Sequence, residues 1–170
     1  HLGIAREFGA LAKNRAVDPE VKYSSDGKEL DSRIKVEIID TKGCLRYCGS
    51  MVENVTVRES PEWLKNYITS IGLRPINNIV DISNYVMMEC GQPLHAFDYD
   101  KISGKKIIVK RAGGVKRFTT LDGRERVLRD DVLLICDSEW PVALAGIMGG
   151  ANSEISSTTK KVFIESAYFN

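Results

Sequence analysis

The residues of this chain whose types can do chemistry are His95, Glu165, the glycines from Gly146 to Gly150, and a polar set of Asn77, Asn78, Ser83 and Asn84. His95 stands in Q-P-L-H-A-F-D, after a helix stop and a proline, in what reads as a loop able to present a side chain to a cleft. A structural hydrogen-bonding role is the plainer reading of a single histidine. Glu165 is a carboxylate inside the apolar run V-F-I-E-S-A-Y-F. If that run alternates as a strand, Glu165 shares a face with Phe163 and Ala167. It then points either to solvent or into an interior pocket, where an ionised carboxylate is costly unless hydrogen-bonded. Gly146, Gly149 and Gly150 follow the strand-like P-V-A-L-A, and glycines there allow close backbone approach and N–H groups aimed at an anion or oxyanion. A plain tight turn explains them equally well, and no Lys-Ser or Lys-Thr follows to make a phosphate loop. Of the Asn and Ser set, some must cap the helix before His95 and others can face a ligand.

The elements that position these groups are legible in outline. Ile4, Phe8 and Leu11 are spaced four and three apart and predict an entry helix over residues 3–13. Residues 14–33 are polar and read as a connection with a short strand around Val21. From Arg33 the period becomes two, predicting strands over residues 34–39 and 45–57 around the turn at Lys42-Gly43. Ser60 as N-cap, Pro61 at the first helical position and a stripe of Trp63, Leu64, Tyr67, Ile68 and Ile71 predict a helix ending at Gly72. Ile79, Ile82, Val86 and Met87 predict a second, closed by Gly91 with Pro93 beyond. Further strands are expected over residues 107–111, in a hairpin around Asp122-Gly123, and over residues 132–136, 142–147 and 162–164. The fold class expected is α+β, with the sheet largely C-terminal.

Composition excludes several function classes. At 170 residues, 43% hydrophobic and 28% charged, the chain reads as one globular domain, residues 1–170, with a real core. A net charge of +1 gives no global field toward nucleic acid or an acidic membrane, so any nucleic-acid contact must be local. No apolar run approaches the roughly 20 residues that cross a bilayer, and no membrane partner is expected. Cys44 and Cys48 form a lone C-x3-C without a second pair or a histidine at ligand spacing, so reduced thiols and no metal are expected. The start at His1 and the stop just after an apolar strand suggest an excised piece of a longer polypeptide.

R-P-I-N-N-I-V-D-I-S-N-Y-V-M, G-Q-P-L-H-A-F-D, T-T-L-D-G, A-L-A-G-I-M-G-G-A-N-S-E and F-I-E-S-A-Y-F, in that order, closely resemble the editing region of the beta subunit of bacterial phenylalanyl-tRNA synthetase. The resemblance extends to H-L-G-I-A-R-E-F, R-Y-C-G and S-P-E-W-L, nearly the whole chain. It implies a layered fold with a β-sandwich-like core and flanking helices, in a cytoplasmic enzyme, that hydrolyses tyrosine mischarged onto phenylalanine tRNA. It implies as partners the synthetase alpha subunit, the rest of the beta subunit and the 3′ end of phenylalanine tRNA. ATP and magnesium serve the full synthetase in its alpha subunit, and no cofactor is implied in this piece. The pocket residues of the family fall on His95, Glu165, Ser83, Asn84 and the loop from Gly146 through Gly149 to Gly150. Ser83 stands where a threonine is frequent, which keeps the hydroxyl. In this reading His95 and Gly149 serve the hydrolysis, while Glu165, Ser83, Asn84, Gly146 and Gly150 hold the substrate.

The physical reason for such a pocket is a limit on discrimination, since apolar exclusion of one added hydroxyl can be worth as little as about 100-fold. A second site in which Glu165 accepts a bond from the tyrosyl phenol leaves the carboxylate unpaired when phenylalanine is bound, worth roughly 10⁴-fold or more. The competing class is a non-catalytic module that binds the tRNA end or scaffolds the subunits. The editing reading requires Glu165 to face a cleft shared with His95 and Gly149 rather than bulk solvent.

Overall fold

A computed structural model describes all residues 1–170. The chain divides into two compact units, one of residues 1–28 and 59–94, the other of residues 29–58 and 95–170.

The first unit holds the α-helices: α1 (Leu2–Leu11), α2 (Glu62–Ser70) and α3 (Asn78–Cys90). No helix is long and apolar enough to cross a membrane. The ends of α3 follow from its sequence. The Asn77 side chain accepts from the N–H groups of Ile79 and Val80, and Gly91 closes the helix at φ +80°, donating its N–H to Met87. α2 buries Leu64 and Ile68, two of the stripe residues, and Tyr67 packs on Tyr85 of α3 at 4.8 Å between ring centroids. Ser60 does not cap α2 as expected. Pro61 holds that position, and the Ser60 hydroxyl instead donates to Oδ2 of Asp81 at 2.5 Å, while Asp81 Oδ1 accepts the Ile76 N–H. A fully buried carboxylate needs those donors more than a helix end with access to water needs its cap. α1 forms where the spacing predicts it, yet Ile4, Phe8 and Leu11 lie on an exposed face. The expected strand around Val21 is absent; residues 14–29 form no regular element.

The second unit holds the strands: β1 (Lys35–Ile38), β2 (Cys44–Glu53), β3 (His95–Asp98), β4 (Lys106–Arg111), β5 (Arg117–Thr119), β6 (Glu125–Val127), β7 (Leu133–Cys136), β8 (Pro141–Leu144), β9 (Met148–Gly149) and β10 (Lys161–Phe169). One sheet has the order β1-β4-β7-β8-β9, with only β1 and β4 parallel; a second has the order β2-β10-β3, all antiparallel; β5 and β6 form the hairpin foreseen around Asp122-Gly123. Ile107, Ile135 and Val142 of the first sheet meet Phe97 and Phe163 of the second in one buried cluster. The α+β class holds, and its β layers share a core as in a sandwich. A second cluster, Ala112, Phe118, Leu128, Leu134, Cys136 and Leu144, packs beneath the β5–β6 hairpin.

The three-stranded sheet carries the register that matters. β10 is its centre, and Glu165 pairs with Gly49 on one side and His95 on the other; one step along, Phe163 pairs with Met51 and Phe97. His95 therefore opens a strand rather than standing in a loop. Its backbone partners are the residues around Glu165, too far along the chain for local propensity to reveal.

Gly49 has no side chain for a packing reason. A Cβ there would lie 2.5 Å from the Phe163 ring, and Phe163 is fully buried. Gly49→Ala should destabilise the chain by about 1–3 kcal/mol, measured as a lower urea midpoint; an unchanged midpoint would show that Phe163 yields without cost.

Candidate functional site

On one face of the β2-β10-β3 sheet, His95 and Phe97 of β3, Phe163, Glu165 and Ala167 of β10, and Tyr47, Gly49 and Met51 of β2 lie side by side, because period-two alternation sends these residues to the same side. Glu165 is buried, 6% exposed, so the solvent-facing alternative is removed. Its carboxylate Oε2 accepts a hydrogen bond from the Tyr47 phenol at 2.7 Å. Tyr47 stands opposite Ala167 and reaches Glu165 diagonally, its ring stacked on Phe163 at 6.5 Å and 11°. The imidazole of His95 meets Phe97 edge to face at 4.4 Å.

The other sheet supplies the third component. A Cβ at Gly149 of β9 would lie 2.5 Å from Cε1 and 2.6 Å from Nε2 of His95, so the Gly149 backbone sits against the imidazole as only glycine permits. Its carbonyl accepts the Leu121 N–H at 3.0 Å.

Burial sets the protonation of this group. It pushes Glu165 from 4.5 up to about 7 against the opposing pull of the Tyr47 hydrogen bond, and lowers His95 from 6.5 to about 4. The Tyr47 phenol is raised well above 10 by burial and by the neighbouring Glu165 charge. At neutral pH the site thus combines an uncharged imidazole, able to accept and to donate, with a carboxyl group near its midpoint. Such a pair can order a water or a small polar group between acceptor and donor.

The structure brings His95, Glu165 and Gly149 together. Gly150 turns its vacant Cβ position to Phe118, Asn152 and the Val142 carbonyl, the opposite side of the strand from Gly149, and gives its N–H to Val142 at 2.7 Å. Gly146, at φ +69°, makes the turn before β9 beneath the Phe169 ring. Ser83 and Asn84 lie on α3 in the helical unit, both half-buried, and the Ser83 hydroxyl donates to the Ile79 carbonyl of its own helix at 3.0 Å. Tyr47 was missed. The alternation of Tyr47, Gly49 and Met51 was the available signal, but it names a partner only once β2 is registered on β10. The four cysteines are free thiols, Cys44 and Cys136 buried, Cys48 and Cys90 exposed. An open cleft of about 300 Å³ between Arg117, Phe118, Glu125, Trp140 and Asn152 contains none of these site residues.

Residues 43–170 match the B3/4 domain family. Among curated proteins, the chain is 52% identical over 170 residues to the phenylalanine–tRNA ligase beta subunit of Salinibacter ruber, covering all of this chain and 20% of that one. It is 48% identical to the protein of the same name from Dehalococcoides mccartyi and 46% identical to that from Protochlamydia amoebophila, covering 99% of this chain and 21% of each. The chain thus spans about a fifth of the length of the curated relatives it matches. A crystal structure of an N-terminal fragment of the phenylalanyl-tRNA synthetase beta subunit from Pyrococcus horikoshii shares the fold, at a TM-score of 0.59 and 16% identity over 95% of this chain and 48% of that one.

The opposed shifts make stability depend on pH in opposite senses. Glu165 keeps its proton to about pH 7 when folded but only to 4.5 when unfolded, so its contribution is full below pH 4.5 and is lost as pH rises through about 7. His95, lowered to about 4, contributes fully above 6.5 and loses that contribution as pH falls through about 4. Glu165→Gln should therefore remove a stability loss on the order of 2 kcal/mol between pH 4.5 and 7. Between pH 4.5 and 6.5 the His95 contribution rises as that of Glu165 falls, so the urea midpoint of the parent should be nearly flat there and that of the variant should rise with pH; a variant as flat as the parent assigns the effect to another group.

Proposed function

The chain belongs to the B3/4 domain family, and from that premise we propose that it is the editing region of a phenylalanine–tRNA ligase beta subunit, hydrolysing tyrosine esterified to phenylalanine tRNA. The observation that carries this reading is the buried carboxylate of Glu165 set directly across from His95, with the Gly149 backbone against the imidazole. A site that must recognise a phenol in an apolar setting needs a desolvated acceptor, and that is an expensive group to keep without a use.

In this reading the tyrosyl phenol donates to Glu165. Water adds to the ester carbonyl carbon, the bond from that carbon to the ribose oxygen breaks, and the proton released by the water ends on the departing ribose hydroxyl. His95, uncharged at neutral pH, orders the attacking water or the substrate amino group. Backbone N–H groups around Gly149 stabilise the tetrahedral oxyanion, with Gly146 and Gly150 shaping that loop. Ser83 and Asn84 hold the amino acid or the terminal ribose, and residues 1–170 serve as one editing region. Phenylalanyl ester is spared because, without the phenol, the carboxylate loses a partner in a place that water reaches poorly.

The hydrolysis needs no cofactor in this region; ATP and magnesium serve ester synthesis in the alpha subunit. The partners are that subunit, the rest of the beta subunit and the tRNA 3′ end, in the cytoplasm. One observation favours a second role, a scaffolding surface: Ile4, Phe8 and Leu11 expose an apolar face of α1 that a neighbouring part of a larger assembly can cover.

The decisive experiment uses the complete ligase and compares hydrolysis of tyrosyl- and phenylalanyl-tRNA. Glu165→Ala should lower the tyrosyl preference by roughly 100-fold or more, and an unchanged preference would remove Glu165 from recognition. His95→Ala should slow tyrosyl ester hydrolysis by about 100-fold. If neither variant changes hydrolysis, the non-catalytic module is the right reading.

A further inference from the structure

We propose that Tyr47 is a specificity-determining positioning residue: its phenol holds Glu165 by Oε2 and so presents the other carboxylate oxygen, Oε1, to the phenol of the substrate. The inference rests on the editing reading above and adds to it a residue that acts through Glu165.

Three observations carry it. The bond from Tyr47 to Oε2 is 2.7 Å long and joins strands β2 and β10 across the sheet face. The Tyr47 ring is itself held, stacked on Phe163, which is fully buried and two residues before Glu165 on the same strand. Gly49, directly opposite Glu165, leaves the space that the Phe163 ring fills, so the tyrosine, the phenylalanine and the carboxylate form one packed unit.

A carboxylate offers two oxygens and about four lone-pair sites, and a glutamate free to rotate would present them in several orientations. Fixing one oxygen with a protein phenol leaves the second at a set place before substrate arrives, which lowers the ordering cost of binding. The donated proton also favours the ionised form of Glu165 against its burial, and an ionised acceptor makes the stronger bond to a phenol. The titratable groups beside Glu165 are the Tyr47 phenol bonded to it and His95 directly across on β3, with the Cys44 thiol of β2 near enough to feel its charge and no charged side chain from β9. Burial raises the Cys44 thiol and lowers His95, so both are neutral near pH 7. Burial sets most of the proton affinity of Glu165, and among its neighbours Tyr47 is the one that pulls it back toward the ionised form.

The test is Tyr47→Phe in the complete ligase, beside Glu165→Gln, with kcat and KM for tyrosyl- and phenylalanyl-tRNA hydrolysis measured from pH 6 to 9. The readout is the ratio of the two kcat/KM values, which does not depend on how much of the preparation is folded. Tyr47→Phe should lower that ratio about tenfold at pH 7, mostly through a higher KM for the tyrosyl ester. The ratio should recover toward pH 9, because Glu165 without its donor ionises later. An equal loss on both substrates, or a ratio and pH profile like the parent's, overturns the proposal. Should Glu165→Gln also leave the ratio intact, the reading of Glu165 as the phenol acceptor falls with it. A ratio lost in Glu165→Gln but kept in Tyr47→Phe removes Tyr47 alone.

Discussion

A carboxylate withdrawn from water on the central strand of a three-stranded sheet is the constraint that orders this molecule. Glu165 is 6% exposed, and burying an acidic side chain is tolerated only where hydrogen bonds or protonation relieve it. Both occur. The Tyr47 phenol donates to one oxygen, and the proton affinity rises to about 7, so the group can shed its charge when nothing else satisfies it. The neighbours follow from that placement: Gly49 opposite leaves room for the packed Phe163, His95 flanks on the other strand, and Phe97 and Phe163 seal the layer beneath.

The second sheet contributes by proximity. Gly149 can lie against the His95 imidazole because β9 pairs with β8, and the Gly150 N–H to the Val142 carbonyl fixes that pairing at its end. One histidine is thereby held between two sheets that share a hydrophobic core, and the precision of its ring position is that of the core itself. Sites built on strands are stiffer than sites on loops, and His95 on β3 is an instance.

How much of this was legible in the sequence depended on how local each cause was. The stop of α3 at Gly91 and the Asp122-Gly123 hairpin are decided within a few residues and stand where the sequence places them, and the cap falls on Asn77, one of the four Asn and Ser residues offered for it. Ser60 has the right type and position to cap α2 but serves Asp81, a group that local spacing cannot show to be buried. The sequence around His95 reads as a loop because its pairing partner lies at the far end of the chain, and nothing local to Tyr47 shows its contact with Glu165 for the same reason. The side that Glu165 faces was correctly posed as alternation with Phe163 and Ala167, yet whether that side is wet or dry is a property of two sheets packed together. The amphipathic spacing of α1 predicts a helix, but not what its apolar face meets.

The protonation states narrow how such a site can act. With His95 lowered to about 4 and Glu165 raised to about 7, neither group holds a positive charge near neutral pH, so a developing oxyanion would find no fixed cation among these residues. Stabilisation would have to come from oriented backbone dipoles, which need close approach and carry no side chain to be desolvated. Glycine at position 149 allows such close approach, since any Cβ there would strike the imidazole. The same absence of a cation keeps Glu165 from being captured in an ion pair, which would lower its proton affinity and tie up its oxygens. A neutral phenol acts on this carboxylate differently from a lysine or arginine: it satisfies one oxygen and brings no fixed charge that would pull the proton affinity back down by pairing.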